Sequence, residues 1–467
     1  MTSRREFIAG CVSAAFVGGA GGRDHVRPCP GAYYESYLEA MAARIRANAV
    51  MCDVGFWFLT DPHVKTNHRQ SGVVCADLIG RTGIRRVLCG GDLVEAFGKG
   101  YPTDRDAVDF AIGTFREQWV KPLRAADGML YCAKGNHDFT VRHSMDTADG
   151  LRGFTYSGAE ARRHIVESWT ETDVTTNAND PSGCYYFFDD ASAKIRFIVA
   201  DTTDSERAGD VAWGVAYGVH DTQLAWLAET AFGTLPVGYD VVVMHHIPVV
   251  GVVGSEGDVQ NFANLRDLLE GYQKRAVVRI GGRVFDFSRA QGRILLDLTG
   301  HMHAERQTFQ SGILHVTEPC DAAYFDYILG SAPWCGNLPE KKGGTVYEQT
   351  FDAVQIAKSR KYVRFTRVGG GQDRVIHLEP RVVRVGETLR FEPSFFGGDT
   401  TFACYNGDRI GFRPNPGNRW NPFVVYGTDF AEISATGVLK ARKPGPVMAL
   451  AMDAHLNKEI FPVTVVA

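Results

Sequence analysis

Between about residues 50 and 320 the chain alternates short apolar runs with segments of helical period, and five of the runs end alike. Val54 to Thr60 stops at Asp61-Pro62-His63, Arg86 to Cys89 at Gly90-Gly91-Asp92, and Met129 to Ala133 at Gly135-Asn136-His137-Asp138. Asp240 to Met244 stops at His245-His246, and Ile294 to Leu298 at Gly300-His301-Met302-His303. Strand-like runs alternating with helix-like segments predict an α/β domain. In open α/β sheets ligands gather at the carboxyl ends of the strands, and all five runs carry their polar residues there.

Taken singly the motifs are weak. Gly91-Asp92 also reads as a turn, and Asp61-Pro62-His63 as a loop with a capping Asp. Gly135-Asn136-His137-Asp138 has the composition of an ordinary turn, and a His pair after an apolar strand reads as a buried, hydrogen-bonded pair. His301 and His303 stand at alternate positions, which on an extended backbone point to one side and favour a metal. All five in this order, each closing a strand, favour a site over chance.

Composition narrows the classes. Hydrophobic residues make up 45% and charged residues 22% of the 467, the balance of a folded protein. Domains of roughly 100–200 residues make that two or three. A net charge of -4 supplies no basic surface for a phosphate backbone, so nucleic acid is not an obligate partner. The ten cysteines include no CxxC pair. Cys75, Cys89 and Cys132 fall in apolar patterns as small buried hydrophobes, while Cys320 and Cys335 flank a loop and can pair in an oxidising compartment.

The two ends differ from the middle. Ser3, Arg4, Arg5, Glu6 and Phe7 before a small apolar run from Ile8 to Gly22 resemble a twin-arginine signal, so residues 1–22 are expected to be removed on export to the periplasm or cell exterior. Cys11 offers a minor lipidation reading, and no segment has the 18 or more apolar residues of a membrane span. After Val368 the run Gly369-Gly370-Gly371-Gln372-Asp373 reads as a linker, and residues 374–467 alternate in short segments between Gly and Pro turns, as a separate β-domain does.

The order DxH, GD, GNHD, H, GHxH over roughly residues 50 to 320 resembles the signature of the calcineurin-like metallophosphoesterases. Paired strands at Cys184 to Asp189 and Ile195 to Asp201, with the helix containing Gln223-Leu224-Ala225-Trp226-Leu227, agree with it. The resemblance implies a four-layer α/β/β/α sandwich over residues 45–368. It implies one metal on Asp61, His63, Asp92 and His303 and another on Asp92, Asn136, His245 and His301, with Asp92 bridging. A metal-bridging hydroxide would then attack a phosphate ester, mono- or diester, on a small molecule or a polymer. His137 would stabilise the transition state or protonate the leaving oxygen, with Asp138 orienting its ring.

The matching segment of the family places its ligand directly after the strand with a proline shortly beyond, which selects His245 over His246, given Pro248. Glu95 stands where purple acid phosphatases carry a tyrosine ligand, so a tyrosinate-bound ferric site is not expected, and Glu95 is read as capping the next segment. With no cysteine expected in the site, its N and O donors suit Mn, Fe or Zn. Lys65, Asn67 and His68 are phosphate contacts or a solvated loop, and Tyr324 to Trp334 a packed loop or an aromatic wall. Residues 374–467 resemble bacterial Ig-like repeats, read as a spacer, a docking module or a carbohydrate-binding module. The alternative function is a non-catalytic metal-binding scaffold, or a surface adhesion protein acting through the Ig-like part.

Overall fold

The computed structural model describes residues 31, 34–64, 70–97, 101–138, 141–142, 156–204, 218–250, 262–303, 305–321, 345–407, 412–415, 418–424 and 427–467. The expected leader with Cys11, the Lys65, Asn67 and His68 cluster, the aromatic stretch 324–334 and Cys335 lie outside these residues.

The apolar runs form strands with almost the expected bounds: β1 Val54–Leu59, β2 Arg86–Cys89, β3 Met129–Cys132, β4 Tyr186–Asp190, β5 Ile195–Val199, β6 Asp240–Met244 and β7 Ile294–Thr299. They divide between two sheets. In the first, β1, β2 and β3 are parallel neighbours. In the second, β5, β6 and β7 are parallel, with β4 beyond β5, and β8 Arg306–Gln310 and β9 Ile313–Thr317 beyond β7. The first sheet continues past β1 through β10 Thr350–Ala357, β11 Tyr362–Gly369 and β12 Arg374–His377.

Strand alternation assigns the faces. In the second sheet Phe197, Val199, Val242 and Met244 join the core shared with the first sheet, whereas Ile198, Val241 and Val243 join a second core. The sheets meet directly: Phe56 stands edge-on to Phe197 at 5.4 Å, and Phe188 stacks on both Tyr131 and Phe197. Helices cover the outer faces. Helix α1, Glu35–Ala49, buries Leu38, Met41, Ala42 and Ile45, the three- and four-residue spacing of one helix face. It packs beside α2, Ser71–Thr82, and α3, Asp104–Phe115, adds its buried face to the same core. The second core takes α4, Asp221–Trp226, and the Leu265, Leu268, Leu269 and Tyr272 face of α5, Phe262–Lys274. The layers therefore run helix, sheet, sheet, helix, and the large unit begins ahead of residue 45.

The linker expected at Gly369 to Asp373 is instead a hairpin turn. β11 and β12 pair antiparallel with Phe365 opposite Arg374, and Gly369 and Gly371 hold φ of 89° and 120°, a region open to glycine at little cost. The first sheet then runs on into the last part of the chain. β12 pairs with the start of β19 Lys458–Val466, which pairs along its other edge with β18 Gly445–Met452 and, further along the edge it shares with β12, with β13 Arg381–Arg384. β18 in turn pairs with β15 Thr401–Asn406. A three-stranded sheet of β14 Thr388–Arg390, β16 Ala431–Ile433 and β17 Val438–Ala441 adds Leu439 and Ala441 to a small separate core with Phe391, Ala449 and Phe461.

Along β18, Val447, Ala449 and Ala451 face this small core, and Met448 and Leu450 face the large one. The C-terminal part is thus β-rich as expected, but residue 374 is no domain boundary: one of its sheets is the first sheet prolonged. Among the described residues no helix is long and apolar enough to cross a membrane.

Candidate metal centre

The carboxyl ends of β1, β2 and β3 face those of β6 and β7 across the join between the sheets. Donor atoms of Asp61, His63, Asp92 and His303 come within 4.8 Å of one another there, and so do those of Asp92, His246 and His301. Asp92 belongs to both groups. His303 Nε2 is 3.2 Å from His63 Nε2 and 3.2 Å from Asp61 Oδ1. His246 Nε2 is 3.1 Å from Asp92 Oδ2 and 3.0 Å from Asn136 Oδ1, and His301 Nδ1 is 2.8 Å from the same amide oxygen. Ligands on one cation at bond lengths of about 2.0–2.2 Å stand roughly 2.9–3.4 Å apart.

The backbone that carries these side chains is strained. Asp61, His63, Asp92, His301 and His303 have φ of 54°, 42°, 49°, 66° and 50°, a region costly for residues with a Cβ and concentrated at functional sites. His301 and His303 therefore do not sit on the extended backbone read from their spacing, and they serve different groups. Two glycines let the segments close in. A Cβ on Gly135 would overlap Asp92, and one on Gly300 would overlap Thr60 Oγ1 and the Asp61 carboxylate. The freed space holds the Asp92 carboxylate against the His137 amide at 2.7 Å and the Asp61 carboxylate against the His301 amide at 3.0 Å.

Hydrogen bonds on the far side of each ring decide what it presents to the centre. His63 Nδ1 donates to Glu95 Oε2 at 2.9 Å, and His246 Nδ1 donates to the Gly90 carbonyl at 2.8 Å. His63 Nε2 is left facing His303 Nε2 and the Asp61 and Asp92 carboxylates, and His246 Nε2 the Asp92 carboxylate and the Asn136 amide oxygen, an arrangement of opposed lone pairs that needs a proton or a cation between them. Burial works against a charged ring, but carboxylates prevail. Asp61 and Glu95 push His63 up to about 10, and Asp92 and Asp61 push His246 up to about 9. His301 goes the other way, lowered to about 3 by burial and by the positive charge of His246. Burial also opposes ionisation of Asp61 and Asp92, yet neighbouring His303 and His246 hold both carboxyls well below the usual range. The donor set is oxygen and imidazole nitrogen, buried and convergent, and it fits two cations sharing Asp92.

No family model and no curated protein matches the chain. Among solved structures it is similar to a dimetal phosphatase from Danio rerio, at 15% identity over 70% of this chain and 100% of that one, TM-score 0.45. A phosphopantetheinyl hydrolase from Mycobacterium tuberculosis aligns at 12% identity over 58% of this chain and 91% of that one, TM-score 0.30. The inner-membrane-complex anchor GAP50 of Plasmodium aligns at 10% identity over 67% and 84%, TM-score 0.35.

Four expectations change. His245 is turned away from the centre: its Nε2 lies 2.9 Å from Asp297 Oδ1, and its Nδ1 3.0 Å from the Ile247 carbonyl oxygen. Both nitrogens face groups away from the donor cluster, and His246 stands in its place. Asp138 does not orient His137, because its two oxygens accept from the Val94 and Gly135 amides. Burial, with the charge of Asp92, pushes its carboxyl up to about 7. Glu95, read as a cap, instead places Oε2 2.6 Å from His137 Nδ1 while also holding His63. Finally, a cysteine does approach: buried Cys320 lies with His63 and His303 in one cluster of candidate donors and gives its thiol hydrogen to the Asp61 carbonyl. Only Glu95's spacing from Asp92 pointed to its position; nothing local marked Cys320.

Proposed function

We propose that the protein is a dinuclear-metal phosphoesterase. The observation that carries this reading is the pair of buried donor groups sharing Asp92 at the joined carboxyl edges of the two sheets. One cation is assigned to Asp61, His63, Asp92 and His303, the other to Asp92, Asn136, His246 and His301. Bound there, two such ions would neutralise the charge of a phosphoryl group and acidify a water beside it.

The chain's own groups supply the rest. Glu95 accepts from His137 Nδ1, which fixes the tautomer and leaves Nε2, 3.8 Å from Asp92 Oδ2, directed at the centre. Carrying hydrogen on both ring nitrogens, His137 would deliver the Nε2 proton to the leaving oxygen and be left as the Nδ1–H tautomer that Glu95 holds, a contribution of about 10²–10⁴-fold for a well-placed general acid. Asn136 Oδ1 lies 3.0 Å from His246 Nε2 and 2.8 Å from His301 Nδ1, so this oxygen and these two nitrogens would be the donors that share the second cation. Glu95 thus ties the proton donor to the ligand His63, so that the two move as one unit.

The test is hydrolysis of bis-p-nitrophenyl phosphate and p-nitrophenyl phosphate by metal-stripped protein, with Mn, Zn or Fe added back. Metal-dependent turnover is expected, and the preferred ester separates diesterase from monoesterase. Two bound metals without turnover on either ester would favour a non-catalytic scaffold.

A further inference from the structure

Next to the metal centre, three carboxylates and three cations lie buried between the sheets. The first sheet supplies Asp352 from β10, Arg367 from β11, Arg374 from β12 and Lys458 from β19. Glu305 and Glu318, just ahead of β8 and just after β9, come from the second. Arg367 reaches Asp352 at 2.9 Å, Glu318 at 2.9 Å and Glu305 at 3.1 Å. Arg374 reaches Glu318 at 2.8 Å, Asp352 at 2.5 Å and also Glu305, and Lys458 Nζ reaches Glu305 Oε1 at 2.9 Å. All six are at most 8% exposed.

Charge divides the network in a useful way. The first sheet contributes three cations and one anion and the second two carboxyls, one of which, Glu318, burial pushes well above its usual range while Arg374 opposes it, so the net positive charge of the first sheet faces the carboxyls of the second across the join. Lys458 and Arg374 are register partners on adjacent strands and project to one face. The turn beside them is stitched as well: Lys458 N donates to the Asp373 carbonyl, and Asp373 N to Asn457 Oδ1. Glu305 comes two residues after His303, and the Glu318 amide holds the Thr299 carbonyl. The other end of the ligand loop has anchors of its own, His301 N on Asp61 and Gly300 N on the His246 carbonyl.

We propose that Lys458, delivered by the last strand of the chain, is a positioning residue for the metal centre: through Glu305 it sets where His303 stands against Asp61 and His63 on the opposite sheet. The C-terminal part is then a working component of the centre and not an appended domain. The inference rests on the dinuclear reading above, but is tested separately from it. Groups that hold metal ligands typically contribute 10–100-fold to metal affinity; Lys458 acts one step further out, through Glu305, on one of the two positions.

The experiment is a titration of metal-stripped, full-length Lys458→Met with Mn(II), following both binding steps beside the parental protein and Lys458→Arg. One step is expected to weaken tenfold or more, the other to stay within about twofold, and Lys458→Arg to restore most of the loss. Unchanged affinities in a folded Lys458→Met overturn the proposal, as does an equal loss at both steps. Should that variant fail to fold, Lys458→Met with Glu305→Gln removes the unpaired charge and must show the same one-step loss. Failure of both variants to fold also overturns it, since Lys458 would then serve folding alone. A parental protein that binds no Mn(II) contradicts the dinuclear reading itself.

Discussion

Within the donor groups, the proton is the metal's competitor. His63 and His246 are raised to about 10 and about 9 in the metal-free protein, against about 6.5 when unfolded. Between about pH 7 and 9 the folded chain therefore holds more protons than the unfolded one, and metal-free stability falls as pH rises. Cation binding needs these rings neutral, so metal affinity rises over the same window. Denaturant midpoints measured from pH 6.5 to 9, with chelator and with added Mn, are expected to move in opposite directions; parallel trends would contradict the assignment.

His245 and His246 separate by mutation as well. His246→Ala should lower bound metal to one per chain. His245→Ala should keep two while costing about 1–3 kcal/mol of stability, because buried Asp297, which His315 holds at 2.7 Å through its other oxygen, loses the imidazole beside it. Elemental analysis with a denaturation curve distinguishes them. The ambiguity has a physical source. Asp240 to Met244 has three valines in a row, with no polar alternation to say which parity faces inward. In the structure Val242 and Met244 face the other sheet, His246 continues that parity, and His245 continues the outer one.

Strand ends were the most legible elements. Short apolar runs cut by Gly and polar residues mark where a buried strand must stop, so β1, β2, β3, β6 and β7 were placed to within a residue. What the pattern does not carry is the backbone beyond them: positive φ at five candidate ligands comes from the packing of two edges against each other. Gly300 is the point where that packing is tightest. Gly300→Ala should cost about 1–3 kcal/mol, as overpacking does, and weaken metal binding, because the new Cβ displaces Thr60 and the Asp61 carboxylate. A thermal melt and a metal titration check it, and unaltered values for both would show that the approach is looser than described.

Across the whole molecule, sequence divided what the structure joins. A glycine-rich run reads alike as linker and as hairpin turn, and the partner of a strand such as β12 lies some 80 residues on, where no local signal reaches. The β-character of the last part was legible; its membership in the first sheet was not. A chain ending at residue 373 therefore loses more than a domain. It removes Met448, Leu450 and Ile460 from the large core and leaves Glu305, Glu318 and Asp352 with Arg367 as the remaining cation of their network. Uncompensated buried charge costs several kcal/mol, against a total stability of about 5–15 kcal/mol. The truncated chain is expected to be insoluble or to lack a cooperative transition by circular dichroism, whereas a sharp transition would restore the two-domain reading.

The shared carboxylate at position 92 is the centre of the account, and metal stoichiometry tests it most directly. Elemental analysis of the parental protein after loading with Mn, Zn or Fe should give two metals per chain, and Asp92→Ala close to none. Two metals retained in Asp92→Ala, or none in the parental protein, would contradict it.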